Sequence, residues 1–250
     1  MMPAKTKISG DNWVSYHMYS PEGLIRRISL DDDLANESKH NSHQYGRSIR
    51  FDLDENALLP TGLPVDEING RLIALQEKLI GFLERSEVDC RFTGIVTFGG
   101  YKEFHFQVDD FQTFDFIVTK WGAAVQDFSV ELIPREGWEY FDRYIRPDEV
   151  YRQQIEDQKL IDRMIEAGSN PNKLHFLEHT FRGKPDALSS ISEVLKEEGF
   201  IVEDRGTTEL VAGKESELMI DGIFGITANL VLFARESGAE YAGWGARLVI

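Results

Sequence analysis

The chain has 250 residues, 42% of them hydrophobic, and a formal net charge of -16. That length is close to the size at which chains split into two domains, and the hydrophobic content is enough for packed cores. Both halves are acidic, which disfavours nonspecific attraction to nucleic acid or to an anionic membrane but permits a basic protein partner. The single cysteine, Cys90, excludes an internal disulfide and is expected to be a buried, inert thiol at the start of a strand. MMPAKTKISGDNW lacks the apolar run of a signal peptide, and no window approaches the roughly 18 apolar residues of a membrane helix. A cytoplasmic location is the expectation.

Residues 11 to 30 are expected to form two strands at a sheet edge. The stretch DDDLANESKHNSHQ (31 to 44) is polar and unpatterned and reads as a mobile loop; its His40 and His43 have no third ligand nearby in sequence. Ile49, Phe51 and Leu53 alternate as a strand. Pro64 then opens a helix whose apolar stripe is Val65, Ile68, Leu72, Leu75, Leu79 and Phe82. Phe92, Gly94, Val96 and Phe98 alternate up to Gly99-Gly100, a pair suited to a two-residue hairpin turn. Phe104, Phe106 and Val108 line the returning strand, with Glu103, His105 and Gln107 on a solvated face. Asp110 caps a helix with Phe111, Phe114, Val118 and Trp121 inward, and Phe128, Val130 and Leu132 form the last strand of this half.

A helix is expected from near Pro147 to Gly168, about 20 residues or roughly 30 Å. Leu174 to Phe181 read as a strand. Pro185 opens a helix with Leu188, Ile191, Val194 and Leu195 inward, ended by Gly199. Phe200 to Glu203 and Glu217 to Asp221 are the expected middle strands, a helix through Leu230, Val231 and Ala234 ends at Gly238, and Tyr241 to Ile250 is the final strand. Each half thus runs strand, helix, strand, strand, helix, strand. The predicted architecture is α+β, two tandem ferredoxin-like (βαββαβ) domains, 1–145 and 146–250, joined by a helix.

No segment supplies a nucleophile, base and orienting group, or a set of metal ligands, at a telling spacing. His175 and His179 flank Glu178 in HFLEH, but four residues of strand span about 13 Å, too far for both to ligate one ion. A hydrogen-bonded structural role or a partner contact is expected for these histidines. The same strand is apolar on both faces, Leu174 and Phe176 on one and Leu177 and Phe181 on the other. Its second face is therefore expected to be covered, by the linking helix, the other domain or a partner. Trp244, between Gly243 and Gly245, reads as a core side chain or as an exposed contact, and the glycines suggest a bulge.

GGYKEFHFQV (Gly99 to Val108) loosely resembles the aromatic strand of RNA-recognition domains, but the basic residue before the glycine is missing and the domain is acidic. LIDRMIEAGSNPNKLHFLEHTF, EEGFIVED and EYAGWGA, in that order over the last ninety or so residues, resemble the family of regulator of ribonuclease E activity B. The first half resembles a bacterial domain of unknown function found fused to it. The resemblance implies a ferredoxin-like, cytoplasmic, non-enzymatic regulator that binds a protein, ribonuclease E being the family's partner, without cofactor, metal, nucleic acid or membrane. The family's acidic C-terminal tail is expected to be missing here. Glu178, His179, Tyr241, Gly243, Trp244 and Gly245 are the candidate partner-binding residues, with no catalytic residue. The alternative is a small-molecule sensor or enzyme with its pocket between the domains.

Overall fold

A computed structural model describes residues 8–37 and 42–250. The chain divides into two compact units, one running to Arg146 and the other from Pro147 to Ile250. Each contains an antiparallel sheet and helices, so the protein is mixed α/β of the α+β kind. Among the described residues no helix is long and apolar enough to cross a membrane.

The first unit comprises β1 (Trp13–Tyr19), β2 (Ile25–Asp31), α1 (Asp32–Asn36), β3 (Tyr45–Asp52), α2 (Asp66–Arg85), β4 (Cys90–Phe98), β5 (Tyr101–Val108), α3 (Phe111–Gly122), β6 (Val130–Arg135) and α4 (Trp138–Tyr144). Its sheet runs β1-β2-β4-β5-β3-β6, with the β1-β2 hairpin at the edge, as expected. Gly99 and Gly100, at φ 52° and 93°, make the tight β4-β5 turn because both positions need the left-handed region. Asp110 caps α3 by accepting from the amides of Gln112 and Thr113. Pro64 precedes α2 by two residues rather than lying in its first turn, Val65 being the N-cap. Phe51, Leu72, Leu79, Phe92, Phe104, Phe106 and Phe114 pack between α2, α3 and the sheet. Phe104 and Phe106 are thus core residues and offer no stacking surface for bases. Cys90 is buried, and burial pushes its thiol up to about 12.

Three features of this unit depart from the sequence reading. A bulge between Phe92 and Gly94 shifts the β4-β5 register, so Phe92 shares a face with Phe104 and Phe106 whereas Gly94 and Val96 lie on the other. That other face is not solvated. The short helix α4, unforeseen in the sequence, sets Phe141 and Ile145 beyond solvent reach, and Glu103, His105 and Gln107 are each at most 3% exposed. Tyr140 stacks on His105, Gln107 donates to the Gly137 carbonyl, and Tyr16 donates to that of Ile145. Finally, the start of the expected loop is ordered: the Asp31 carboxylate caps α1 by accepting from the amide of Asp33, and Leu34 and Ala35 are buried. Residues 38–41, including His40, lie outside the described residues.

The second unit comprises α5 (Glu149–Glu166), β7 (His175–Arg182), α6 (Pro185–Glu197), β8 (Ile201–Asp204), β9 (Glu209–Ser216), α7 (Ile220–Glu236) and β10 (Glu240–Ala246), with sheet order β10-β7-β9-β8. Pro185 stands in the first turn of α6, where its missing amide costs nothing. The second middle strand is Glu209–Ser216, not Glu217 to Asp221. Leu210 and Ala212 of β9 face the core, while Met219 already caps α7. Val194 is 40% exposed rather than inward, and the last strand stops at Ala246.

Side chains of α5, α6 and α7 pack on one face of this sheet. Phe181, Leu188, Ile191, Leu195 and Leu230 make one cluster; Ile161, Met164, Leu177, Ile223 and Trp244 make the other. The linking helix α5 therefore joins the layer of α7 and does not cover the second face of β7.

Candidate functional site

On β7, His175, Leu177, His179 and Phe181 point into the helical layer, and Phe176, Glu178 and Arg182 point out. Each inward histidine has its own partners. His175 donates from Nδ1 to the Lys173 carbonyl at 2.7 Å, which leaves Nε2 to accept from the Ser169 hydroxyl at 2.7 Å. His179 Nδ1 meets the Tyr241 hydroxyl at 2.8 Å, the Phe200 ring lies edge-on to it, and its Nε2 has no hydrogen-bond partner. Burial, then the Lys214 charge, pulls His179 down to about 4. Burial, then Asp157, pushes the Tyr241 hydroxyl well above its ordinary value.

Trp244 is buried, one of the two readings its sequence allowed. Its indole N–H donates to Asp157 of α5 at 2.8 Å, and Asp157 also accepts from Thr227 of α7 at 2.6 Å and from Gln153 at 2.7 Å. Burial raises the Asp157 carboxyl, and these three hydrogen bonds oppose the shift. The β7-β10 register slips between Tyr241 and Trp244, with Gly243 at φ 99°. That bulge, suggested by the glycines, turns both rings inward.

Two of the six candidate contacts, His179 and Trp244, thus lie inside the unit, where they hold strands and helices together. Tyr241 is half-buried behind His179. Glu178 is exposed, and its register partners on either side are Gly213 and Gly245, so no cross-strand side chain stands directly opposite it. It reaches Arg205, which also meets Glu203, at 3.3 and 3.5 Å.

The outer face of the sheet holds Phe176, one of the apolar residues of the second face of this strand noted from the sequence, and adds Ile201, which the sequence did not single out. Phe176 is 42% and Ile201 70% exposed. Ile201 stands opposite Gly213, and the Phe176 ring lies over Gly213, where a Cβ would collide with it. Glu178, Glu203, Glu209 and Glu215 outnumber Arg182 and Arg205 on this face. An exposed phenylalanine opposite an exposed glutamate, Phe176 against Glu215, is the signal that alternation along β9 would have given, had β9 been placed correctly. The surface is apolar at its centre and acidic around it, a pattern suited to a protein carrying a complementary basic surface.

The first unit holds two polar clusters. His43 donates its amide to Asp109 and sets Nε2 2.9 Å from Asp89, and these three residues could hold a metal ion, their ligand atoms lying within 4.8 Å of one another. Ser48, His105 and Glu103 are the residue types of a serine-hydrolase triad with the ring reversed: Ser48 Oγ lies 2.7 Å from Nδ1, and Glu103 Oε2 lies 3.4 Å from Nε2, which makes no hydrogen bond. The arrangement is poorly suited to nucleophilic catalysis. Ser48 is fully buried and accepts from Arg135, and His105 is pulled down to about 3 by burial and by Arg135, Arg26 and Arg50, which leaves a weak base.

The second unit is thus a helix-backed antiparallel sheet whose open face is apolar at its centre and acidic around it. The family described as Regulator of ribonuclease activity B matches residues 154–246, in agreement with the resemblance of the C-terminal half. No curated protein matches the chain.

Proposed function

We propose that residues 146–250 form a ferredoxin-like regulatory module that binds a protein through the outer face of its sheet, without catalysis of its own. Ribonuclease E is the proposed partner, in a bacterial cytoplasm, and RNA processing is the process modulated. The observation that carries the reading is the family match over residues 154–246 on a unit whose open face joins Phe176 and Ile201 to four glutamates. The ferredoxin-like assignment is supported by strand order. In β10-β7-β9-β8 the fourth strand of the unit lies beside the first, then the third and second, and β6-β3-β5-β4 repeats that order in residues 1–145, a bacterial α+β domain fused to the module. Glu178 is the contact residue among the original candidates; Tyr241, Gly243 and Gly245 shape the strand beside it.

Equilibrium binding of the full chain to ribonuclease E from the same organism, with nuclease activity followed in the same titration, tests this reading. Saturable binding with reduced cleavage is expected. An absence of binding at micromolar concentrations would leave only the fold in common with the family.

A further inference from the structure

We infer that the first unit binds a small oxyanion, an organic phosphate or carboxylate, in the cleft that Arg26, Arg50, Arg135 and Glu103 line. The cleft measures about 550 Å³, within the range of sites that hold small organic ligands. It lies on the sheet face that α4 covers, and it goes beyond the regulatory role proposed for the second unit.

The three arginines are set unequally. Arg50 places Nε and Nη2 on Oε1 of Glu103, at 2.7 and 2.6 Å. Arg135 places Nη2 on both carboxylate oxygens, at 3.0 and 2.9 Å, and Nε on Ser48. Each guanidinium is backed by a ring, Arg50 by Tyr101 at 4.5 Å and Arg135 by Tyr140 at 4.6 Å. Both forks are therefore fixed before a ligand arrives, and preorganisation of this kind lowers the entropic cost of binding.

Arg26 lines the same cleft, but its side chain makes no hydrogen bond or ion pair among the described residues, and its Nε is buried without a partner. A guanidinium so placed is costly unless an acceptor reaches it. Among the residues that line the cleft, Glu103, 2% exposed at its side chain, offsets one of the three charges and Glu136 a second, while Glu131 acts on Arg50 from the adjacent strand outside that lining. His105, behind Glu103, is neutral at physiological pH and adds no charge. The group that would complete this arrangement carries at least two acceptor oxygens, which phosphate monoesters and carboxylates both supply.

Isothermal titration calorimetry of the full chain against inorganic phosphate, adenosine monophosphate and citrate, at constant ionic strength in sodium chloride, tests the assignment. Saturable one-site binding of at least one probe is expected. Binding of the phosphates alone marks a phosphate site, and binding of citrate alone a carboxylate site. Arg26→Gln should weaken the bound probe at least tenfold while its urea midpoint stays at or above that of the parent, because no side-chain hydrogen bond or ion pair is lost. No saturable heat with any probe, or unchanged affinity in Arg26→Gln, would overturn the inference. Neither result depends on whether the second unit binds a ribonuclease.

Discussion

The indole of Trp244, on the last strand of the second unit, donates to the carboxylate of Asp157, on its first helix, at 2.8 Å. This bond joins two elements 87 residues apart in sequence, and Thr227 brings α7 to the same carboxylate. Trp244→Ala should cost about 3 to 5 kcal/mol, combining lost burial with a cavity. Trp244→Phe should keep much of the packing and cost about 1 to 3 kcal/mol, the penalty of removing one partner of a buried hydrogen bond. Urea unfolding of both variants gives the two figures. If Trp244→Ala were neutral, the indole would not be a core element.

Histidine burial sets the acid response. His179 and His105 have folded values of about 4 and about 3 against an ordinary 6.5, so between 6.5 and those values the unfolded chain holds protons that the folded chain does not. Their contribution is fully present above pH 6.5 and is lost as pH falls through the window, at up to about 1.4 kcal/mol per pH unit for each site. Asp157 acts in the opposite sense: its raised carboxyl makes stability fall as pH rises through its folded value. A direct comparison isolates the histidine term. The stability gap between the parent chain and His179→Gln should shrink steadily from pH 6.5 to 4 in urea titrations, and a constant gap would contradict the buried neutral imidazole.

Much of the fold was legible because periodicity survives wherever one face is buried. Phe114, Val118 and Trp121 in α3, and Leu188, Ile191 and Leu195 in α6, repeat at helical spacing and are buried. What escaped was what periodicity cannot encode. The one-residue bulge at Thr93 reverses which face Val96 occupies, though the letters alternate without a break. Glu103, His105 and Gln107 look solvated by composition, but seven residues of α4 bury them, and only the spacing of Trp138, Phe141 and Tyr144 hints at that helix. In the candidate site, Glu178 was legible as an exposed strand residue. Phe176 and Ile201 form one patch only because β8 and β7 flank the same strand, a pairing that local sequence does not announce.

Two glycines should respond to alanine in opposite ways. At Gly94 a Cβ would stand 2.8 Å from Ile145 Cγ2 and 3.3 Å from the Ser29 carbonyl, in a packed region without room to give. Gly94→Ala should cost about 1 to 3 kcal/mol by overpacking. Gly70, in the first turns of α2, has nothing within 4 Å of a built Cβ, so Gly70→Ala should stabilise by about 0.5 to 1 kcal/mol through helix propensity. Thermal melts of both variants decide the point, and a destabilising Gly70→Ala would mean that the exposed side of α2 is occupied.

The outer face of the second sheet makes the sharpest separation between folding and binding. Phe176 and Ile201 are 42% and 70% exposed, so Ile201→Ser should change stability by no more than about 0.5 kcal/mol. Phe176→Ser should cost somewhat more because its ring rests on Gly213. If the face docks a protein, an apolar anchor at its centre carries a large share of the binding energy, and its removal costs about 2 kcal/mol or more, roughly thirtyfold in Kd. The surrounding glutamates act chiefly on association rate: Glu178→Lys with Glu203→Lys should slow association with a basic partner and flatten its dependence on salt. Surface plasmon resonance at two ionic strengths, on variants first shown by urea unfolding to be folded, separates these effects. If Ile201→Ser bound with unchanged affinity and the paired lysine variant kept the parent association rate, the outer face of the sheet would not be where the partner docks.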